Sequence, residues 1–299
     1  MPLSRSTLAE WVGRIGVALE PLTLRLGELL RQCSVLHGDE TPVAQLDPGR
    51  GKTKRAYLWV YRSNALGGDP QIVYFDYQPG RSGKHVVEFL AGWEGALMVD
   101  DYAGYQVLFR GQVVELACMA HARRKFFDLH QANGSPLAAE AMRRIGELYA
   151  IEAEMQGKSG AERARRRKEA SQPRLEALKL WLQQNRKSTA DGSALARAID
   201  YLLRRWAAFA RYATNGFYPI DNNAVENAIR PIAVGKKNWL FAGSEAAGQR
   251  AAAIQSLLET ARLNGIEPMA WLTDTLEKLP TWPSSRLDEL LPLRNAPAV

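Results

Sequence analysis

The sequence predicts an α/β fold: a mixed five-stranded sheet flanked by helices, with a long all-helical stretch after the last strand. Three observations carry this. From Ser34 to about Cys118 the apolar residues fall in five short runs of strand length. A helical pattern separates the third run from the fourth. From His121 to about Tyr212, and again near the C-terminus, the apolar residues recur at helical spacing. The 299 residues suffice for a sizeable buried core, and 46% hydrophobic with 24% charged residues is the balance of a folded globular chain, which excludes a disordered or fibrous one.

The first 33 residues read as two short helices. Thr7 and Glu10 have capping-box spacing, Leu8, Trp11, Val12 and Ile15 form an apolar stripe, and Pro21 suits the first turn of the second helix. The strand-like runs are Ser34 to Asp39, Ala56 to Arg62, Gln71 to Tyr77, Ala96 to Asp100 and Val113 to Cys118. Between the first two, DPGRGKTKR combines turn residues with Arg50, Lys52, Lys54 and Arg55, so an exposed basic hairpin tip is expected. After Tyr77, Val86, Val87, Phe89 and Leu90 mark a helix crossing between strands. Three meandering strands, a helix and a further strand form the order of a ribonuclease-H-like sheet.

In the helical stretch, Leu175, Leu178, Trp181 and Leu182 keep one face, as do Leu195, Ile199, Leu202, Leu203, Trp206 and Phe209. Between residues 158 and 168, KSGAERARRRK carries six basic residues against one acidic, which reads as a solvated face or mobile connection, with DNA contact as the rival. Further on, Ala251, Ile254, Leu257, Leu258 and Ala261 stripe a helix that Asn264 and Gly265 end. A last helix spans about Met269 to Leu279, and a proline-rich surface tail with disordered final residues follows. The expected organisation is a helical segment at 1–33, a first core part at 34–128, the insertion at 129–215, a second core part at 216–280 and the tail at 281–299.

Lysine and arginine number 39 against 32 acidic residues, a formal net charge of +7 that favours a polyanionic partner. Two cysteines, Cys33 and Cys118, allow at most one bridge and no cysteine-based zinc framework, which fits a reducing compartment, with the cytoplasm as the default. No apolar stretch approaches the roughly 18 residues of a membrane span, and Glu10, Arg14 and Glu20 interrupt any signal-like region.

Three acids could carry chemistry. Asp39 ends an otherwise apolar strand, sharing its face with Val35 and His37. Asp100 and Asp101 end another, on opposite faces, and the pattern alone leaves the choice between them open. An acid at a strand end is ordinarily a turn or cap residue. Two such ends on adjacent strands repel each other and become favourable when divalent cations neutralise them, and hard oxygen donors suit magnesium or manganese. Glu226 sits on a helix that Asp221 or Asn222 could cap. Asn222, Glu226 and Arg230 lie near one face before Pro231 kinks or ends that helix, and a Glu and an Arg so spaced are ordinarily a surface ion pair.

HGDETPV, VDDYAGY, CMAHARRKFFD and DNNAVENAIRPIAVGKKNWLFAGS, in that order, together resemble the catalytic region of the insertion-sequence-66 family of DDE transposases. The resemblance spans nearly the whole chain. It implies a ribonuclease-H-like fold with a helical insertion between the second aspartate and the glutamate, and a catalytic triad of Asp39, Asp100 and Glu226. It also implies two Mg2+ or Mn2+ ions: Asp39 binding both, Asp100 one and Glu226 the other. Water then cuts at the transposon end, and the freed 3′-hydroxyl attacks target DNA without a covalent enzyme intermediate. Asp100 is preferred to Asp101, a position that need not be acidic in relatives.

His121, in a Cys-x-x-His pair, is expected to support the site or to be a core histidine; two ligands do not make a structural zinc site. The expected DNA contacts are Lys52 and Arg55 at the hairpin, Arg123 and Arg124 after His121, and Arg230, Lys236 and Lys237 beyond Glu226; relatives often have arginine where Asn227 stands. Relatives of this family are longer, so the chain reads as their catalytic half, with salt-sensitive nonspecific DNA binding. Expected partners are transposon ends and target DNA, a second copy of the chain and accessory transposition proteins. The rival readings are a catalytically silent DNA-binding remnant and a nuclease without strand transfer.

Overall fold

The computed structural model describes residues 3–294. Its elements run α1 (Arg5–Ala18), α2 (Glu20–Leu30), β1 (Val35–Asp47), β2 (Lys52–Ser63), β3 (Val73–Gln78), α3 (Lys84–Phe89), β4 (Ala96–Val99) and β5 (Val114–Ala117). The helices α4 (Met119–Asn133), α5 (Pro136–Glu154), α6 (Gly160–Arg166), α7 (Gln172–Lys187), α8 (Ala194–Arg204) and α9 (Trp206–Ala210) follow. Last come α10 (Asn223–Trp239), α11 (Glu245–Leu263) and α12 (Pro268–Lys278). The strands make a mixed five-stranded sheet, as the five apolar runs predict. By packing, the chain divides into two units: one runs up to Gly95, takes in Tyr102–Val113 and resumes at Ala224, and the other holds Ala96–Asp101 and Val114–Asn223.

In the first unit β1, β2 and β3 form an antiparallel meander, with Asp39 opposite Val60 and Asp47 opposite Lys52. The hairpin tip turns through Gly49 and Gly51, at φ +83° and +62°, which only glycine adopts without strain. Lys52, Lys54 and Arg55 are exposed there, as expected. The first strand is longer than its apolar run. Burial alternates on through Thr41, Val43 and Gln45, so Asp39 sits within the strand rather than at its end. Pro42 and polar Gln45 disguised that continuation, since proline ordinarily marks an edge or a break.

One face of the meander, through Val43, Leu58, Val60 and Phe75, is covered by Val225, Ile229 and Ile232 of α10 and by Ala252 of α11. The last helices otherwise follow the predicted pattern, and Gly265 at φ +65° lies just past the end of α11. At the N-terminus the cap is Ser4, whose hydroxyl accepts the Thr7 N–H, so Thr7 lies inside α1 rather than at its cap. Leu8, Trp11 and Val12 are each about half exposed, and it is Gly16 that α1 buries. Beyond Pro280 a 3-10 turn (Ser284–Leu290) buries Leu290 and Leu291, and Asp288 takes a two-pronged bond from Arg25 of α2 at 2.5 and 2.8 Å. The tail is therefore partly packed, and its final residues lie outside those described.

α10 continues through Pro231 to Trp239, so the proline does not end it. The Leu240 N–H closes the helix onto the Lys236 carbonyl, and the Phe241 N–H turns back to the Trp239 carbonyl at 2.7 Å. Leu240 takes φ +60°, the only left-handed non-glycine among the described residues, at a cost of about 1–2 kcal/mol.

In the second unit β4 and β5 pair in parallel. Both predicted apolar faces, with Leu175, Leu178 and Leu182 on one and Ile199, Leu202 and Phe209 on the other, join Phe126 and Ile145 in one core. The basic run departs from expectation. Ser159 caps α6 with a full capping box, and a wide helical turn (Arg167–Ser171) leads into α7. Arg163 and Arg167, four apart, are buried, whereas Arg165, Arg166 and Lys168 are exposed. Arg167 is wholly enclosed and donates to both Glu152 carboxylate oxygens and to the carbonyls of Tyr212, Asn215 and Tyr218. Arg163 donates to the carbonyls of Gly216 and Lys158. A guanidinium with nearly every donor used can be buried, because its desolvation is offset by hydrogen bonds and an opposite charge.

Candidate active site

The sheet-bearing unit places Asp39 in β1 and Glu226 in the first turn of α10, both half-buried. Asp39 Oδ1 accepts the Glu40 backbone N–H at 2.8 Å, an arrangement that fixes the carboxylate beside its own strand. Val225 faces the core, so Glu226, one position on, is carried to the flank of the buried stripe. The start of α10 is tied to the sheet by Arg62 of β2, which donates to the Ala224 carbonyl at 2.5 Å. Burial lowers the pKa of Arg62 from its ordinary value.

The far end of the helix is tied as well. Lys236 Nζ donates to the Thr41 hydroxyl at 2.7 Å. Thr41 is two residues beyond Asp39 on the same strand face, about 7 Å along it. Partial burial lowers the Lys236 pKa. Lys237 and Arg230 are exposed on the same helix, as are Lys52 and Arg55 on the hairpin.

Glu40, the acid beside Asp39, is engaged within the protein. Arg81 Nε donates to its Oε1 at 2.7 Å and the Tyr105 hydroxyl to its Oε2 at 2.8 Å. Tyr105 is fully buried, and burial first, then the Glu40 charge, pushes its phenol well above the usual range, so it stays a donor. Arg81 also lies 3.8 Å from the centre of the Tyr102 ring, a cation–π contact.

The helical unit places Asp100 directly after β4, half-buried, and exposed Asp101 next to it. Arg205 donates to the Asp100 backbone carbonyl at 2.9 Å, forms an ion pair with the Asp101 carboxylate at 3.3 Å and bonds Glu115 at 2.8 Å. Cys118 stands at the start of α4 and its Sγ accepts the Asn222 N–H at 3.2 Å, while His121 is half-buried in the first turn of that helix. Exposed Arg123 and Arg124 line a cleft of about 600 Å³ with Phe127 and Tyr149. The Tyr149 hydroxyl donates to Asp221 at 2.9 Å, and Asp221 in turn accepts the Asn223 N–H that opens α10.

The residues that sequence reasoning missed are Arg62, Arg81, Tyr105 and Arg205. Tyr105 lies within VDDYAGY, where nothing in the local pattern marks it as the partner of Glu40. The arginines carry no local signal, because Arg81 meets Glu40 across 41 positions and Arg205 meets Glu115 across 90.

No solved structure matches this chain. Among curated proteins it is similar to the uncharacterized protein y4qI of Sinorhizobium fredii, 38% identical over 97% of this chain and 56% of the relative. It is likewise similar to the uncharacterized protein y4hP of the same organism, 37% identical over 97% and 56%. A shorter match, 32% identical over 36% of the chain, is to the uncharacterized protein YjgZ of Escherichia coli. The chain thus spans about half the length of the first two relatives. The model of the Transposase IS66 family matches residues 1–250 and that of the IS66 C-terminal element residues 256–293. With the four motifs in place on the strands and helices described, the chain belongs to the IS66 transposase family.

Proposed function

We propose that this chain is the catalytic region of a DNA transposase with a ribonuclease-H-like core, and that Asp39, Asp100 and Glu226 hold two Mg2+ or Mn2+ ions. The observation that carries the reading is where the fold holds the three motif acids: Asp39 within a paired strand, Asp100 directly after β4 and Glu226 in the first turn of α10. Asp100 is kept ahead of Asp101 on the motif resemblance. The donor set, three carboxylates, is hard oxygen chemistry that fits either ion.

When bound, the ions supply activation of the attacking oxygen and stabilisation of the leaving one. The protein supplies position. Asp39 is held by a paired strand, and Glu226 by a helix anchored through Arg62 and Lys236. Arg230, Lys237, Lys52 and Arg55 present exposed positive charge for DNA phosphates, and Arg123 and Arg124 do so in the helical unit. His121 supports the site from the first turn of α4. Joining two transposon ends to a target calls for at least two copies of the chain, with accessory proteins as further partners. The proposed place of work is DNA in the cytoplasm; separately, none of the helices described is long and apolar enough to cross a membrane.

The test incubates the protein with magnesium and oligonucleotides bearing candidate ends. Strand-joined products are expected. Nicks alone leave hydrolysis and remove strand transfer, and binding without cutting removes catalysis. Asp39→Asn, Asp100→Asn and Glu226→Gln should each reduce cleavage by more than the about 10–100-fold typical of residues outside the ligand set, with DNA affinity largely kept. If Asp101→Asn is inactive and Asp100→Asn is not, the second ligand is Asp101.

A further inference from the structure

The segment Trp239–Leu240–Phe241 places three large apolar side chains in succession at the surface, 43%, 63% and 41% exposed. Its middle residue is the one held left-handed. Such strain persists only where the surroundings over-determine the backbone, and both sides do so here. Upstream, the Leu240 N–H is bonded to the last turn of α10. Downstream, the Ala242 N–H donates to the Ala44 carbonyl and the Leu46 N–H to the Ala242 carbonyl, both at 2.8 Å, clipping the chain to β1.

Trp239 and Phe241 are braced. They line an apolar cleft of about 660 Å³ with Leu8, Val12 and Tyr77, and the Trp239 indole leans on Gly235, where an added Cβ would lie 2.7 Å from Nε1. Leu240 is left as the tip. An aliphatic residue held in a costly conformation and pointed at solvent gains nothing for the fold.

The neighbouring charge identifies what it meets. Lys237 is exposed less than one turn before Trp239. On β1, Ala44, which accepts the Ala242 N–H, pairs with exposed Arg55, and Gln45, which lies opposite Ala242, pairs with exposed Lys54 of the basic hairpin. The apolar tip is thus flanked on two sides by cations suited to a phosphate backbone, with apolar surface that no phosphate would satisfy. A polyanion that also offers stackable apolar faces is a nucleic acid with opened base steps.

We propose that the 239–241 turn is a wedge that enters DNA at a free or frayed end, Leu240 separating a base step while Trp239 and Phe241 support it. This rests on the DNA reading above and deepens it. Leu240 lies fourteen residues beyond Glu226 on and past the same helix, about 20 Å away along its axis. The wedge therefore opens the duplex several base pairs from the carboxylate rather than at it.

The test uses the full chain and two probes. One is a short blunt duplex with 2-aminopurine near its end, which brightens on unstacking; the other is the same duplex closed by loops at both ends. The wild type should brighten the open probe and prefer it to the closed one. Leu240→Gly removes the wedge while suiting the left-handed backbone, so its thermal stability should equal or exceed that of the wild type. It should lose the brightening and bind the open probe about tenfold more weakly, keeping its affinity for the closed one. Leu240→Asn, which also tolerates this conformation, should behave alike. Undiminished brightening in either variant overturns the wedge, as does wild-type binding to both probes without brightening, and in those cases the DNA reading stands. If the wild type binds neither probe, the wedge and the DNA reading fall together.

Discussion

Two runs of positive charge, Arg163 to Lys168 in the helical unit and Lys236–Lys237 with the basic hairpin in the sheet-bearing unit, look alike in composition and are put to opposite uses. In the first, the helical period turns Arg163 and Arg167 inward, onto backbone carbonyls and Glu152, and leaves Arg165, Arg166 and Lys168 to solvent. In the second, the hairpin cations and Lys237 face outward, and only Lys236 is partly drawn in, onto Thr41. Charge density in a sequence therefore does not identify a polyanion-binding surface. The direction that the local period gives each cation does, together with whether carbonyl acceptors wait for it.

The sharpest way to break this contrast is Arg167→Ala. Removing an enclosed guanidinium strands Glu152 and three carbonyls, and a loss of about 3–5 kcal/mol in unfolding free energy by chemical denaturation is expected. Stability close to the wild type would mean that the arginine is not the internal tie described.

A second measurement addresses the outward cluster. Changing Lys52, Arg55 and Lys237 together to Ala should leave the unfolding midpoint nearly unchanged. The slope of log affinity against log salt should fall by about 2 to 3 on any duplex, since each phosphate contact contributes about 0.9. An unchanged slope would take these cations off the DNA path. The smallest effect is expected for Arg165, Arg166 and Lys168, each changed to Gln, with neither midpoint nor salt slope moving. A lower slope in that variant would put DNA against the helical unit and erase the distinction between the two runs.

Much of the fold was legible because it rests on short-range periodicity. All five strands, α3 and both predicted apolar faces of the helical unit follow from where apolar residues recur. The inward turn of Arg163 and Arg167 was legible in principle, since the four-residue step between them leads on to buried Ser171. What failed had a physical cause each time. β1 was cut short because its outer half is built from threonine, proline and glutamine, whose burial is set by the neighbouring strand. The cap of α1 was placed three residues late because Ser4 and Thr7 are both good caps and local sequence does not choose between them. The candidate acids were legible from motif resemblance. The partners of Glu40 and Asp101 were not, because the arginines and the tyrosine that engage those two acids come from distant parts of the chain.

Pro231 has a mechanical consequence. Having no N–H, it leaves the Asn227 carbonyl without its helical donor, and the exposure of both residues lets water serve instead. α10 is thus a rod with a soft joint between two anchored ends, Arg62 gripping one and Thr41 the other. A load on the tryptophan end bends the rod at that joint before it displaces the carboxylate, so the helix can yield to whatever it grips without losing its aim.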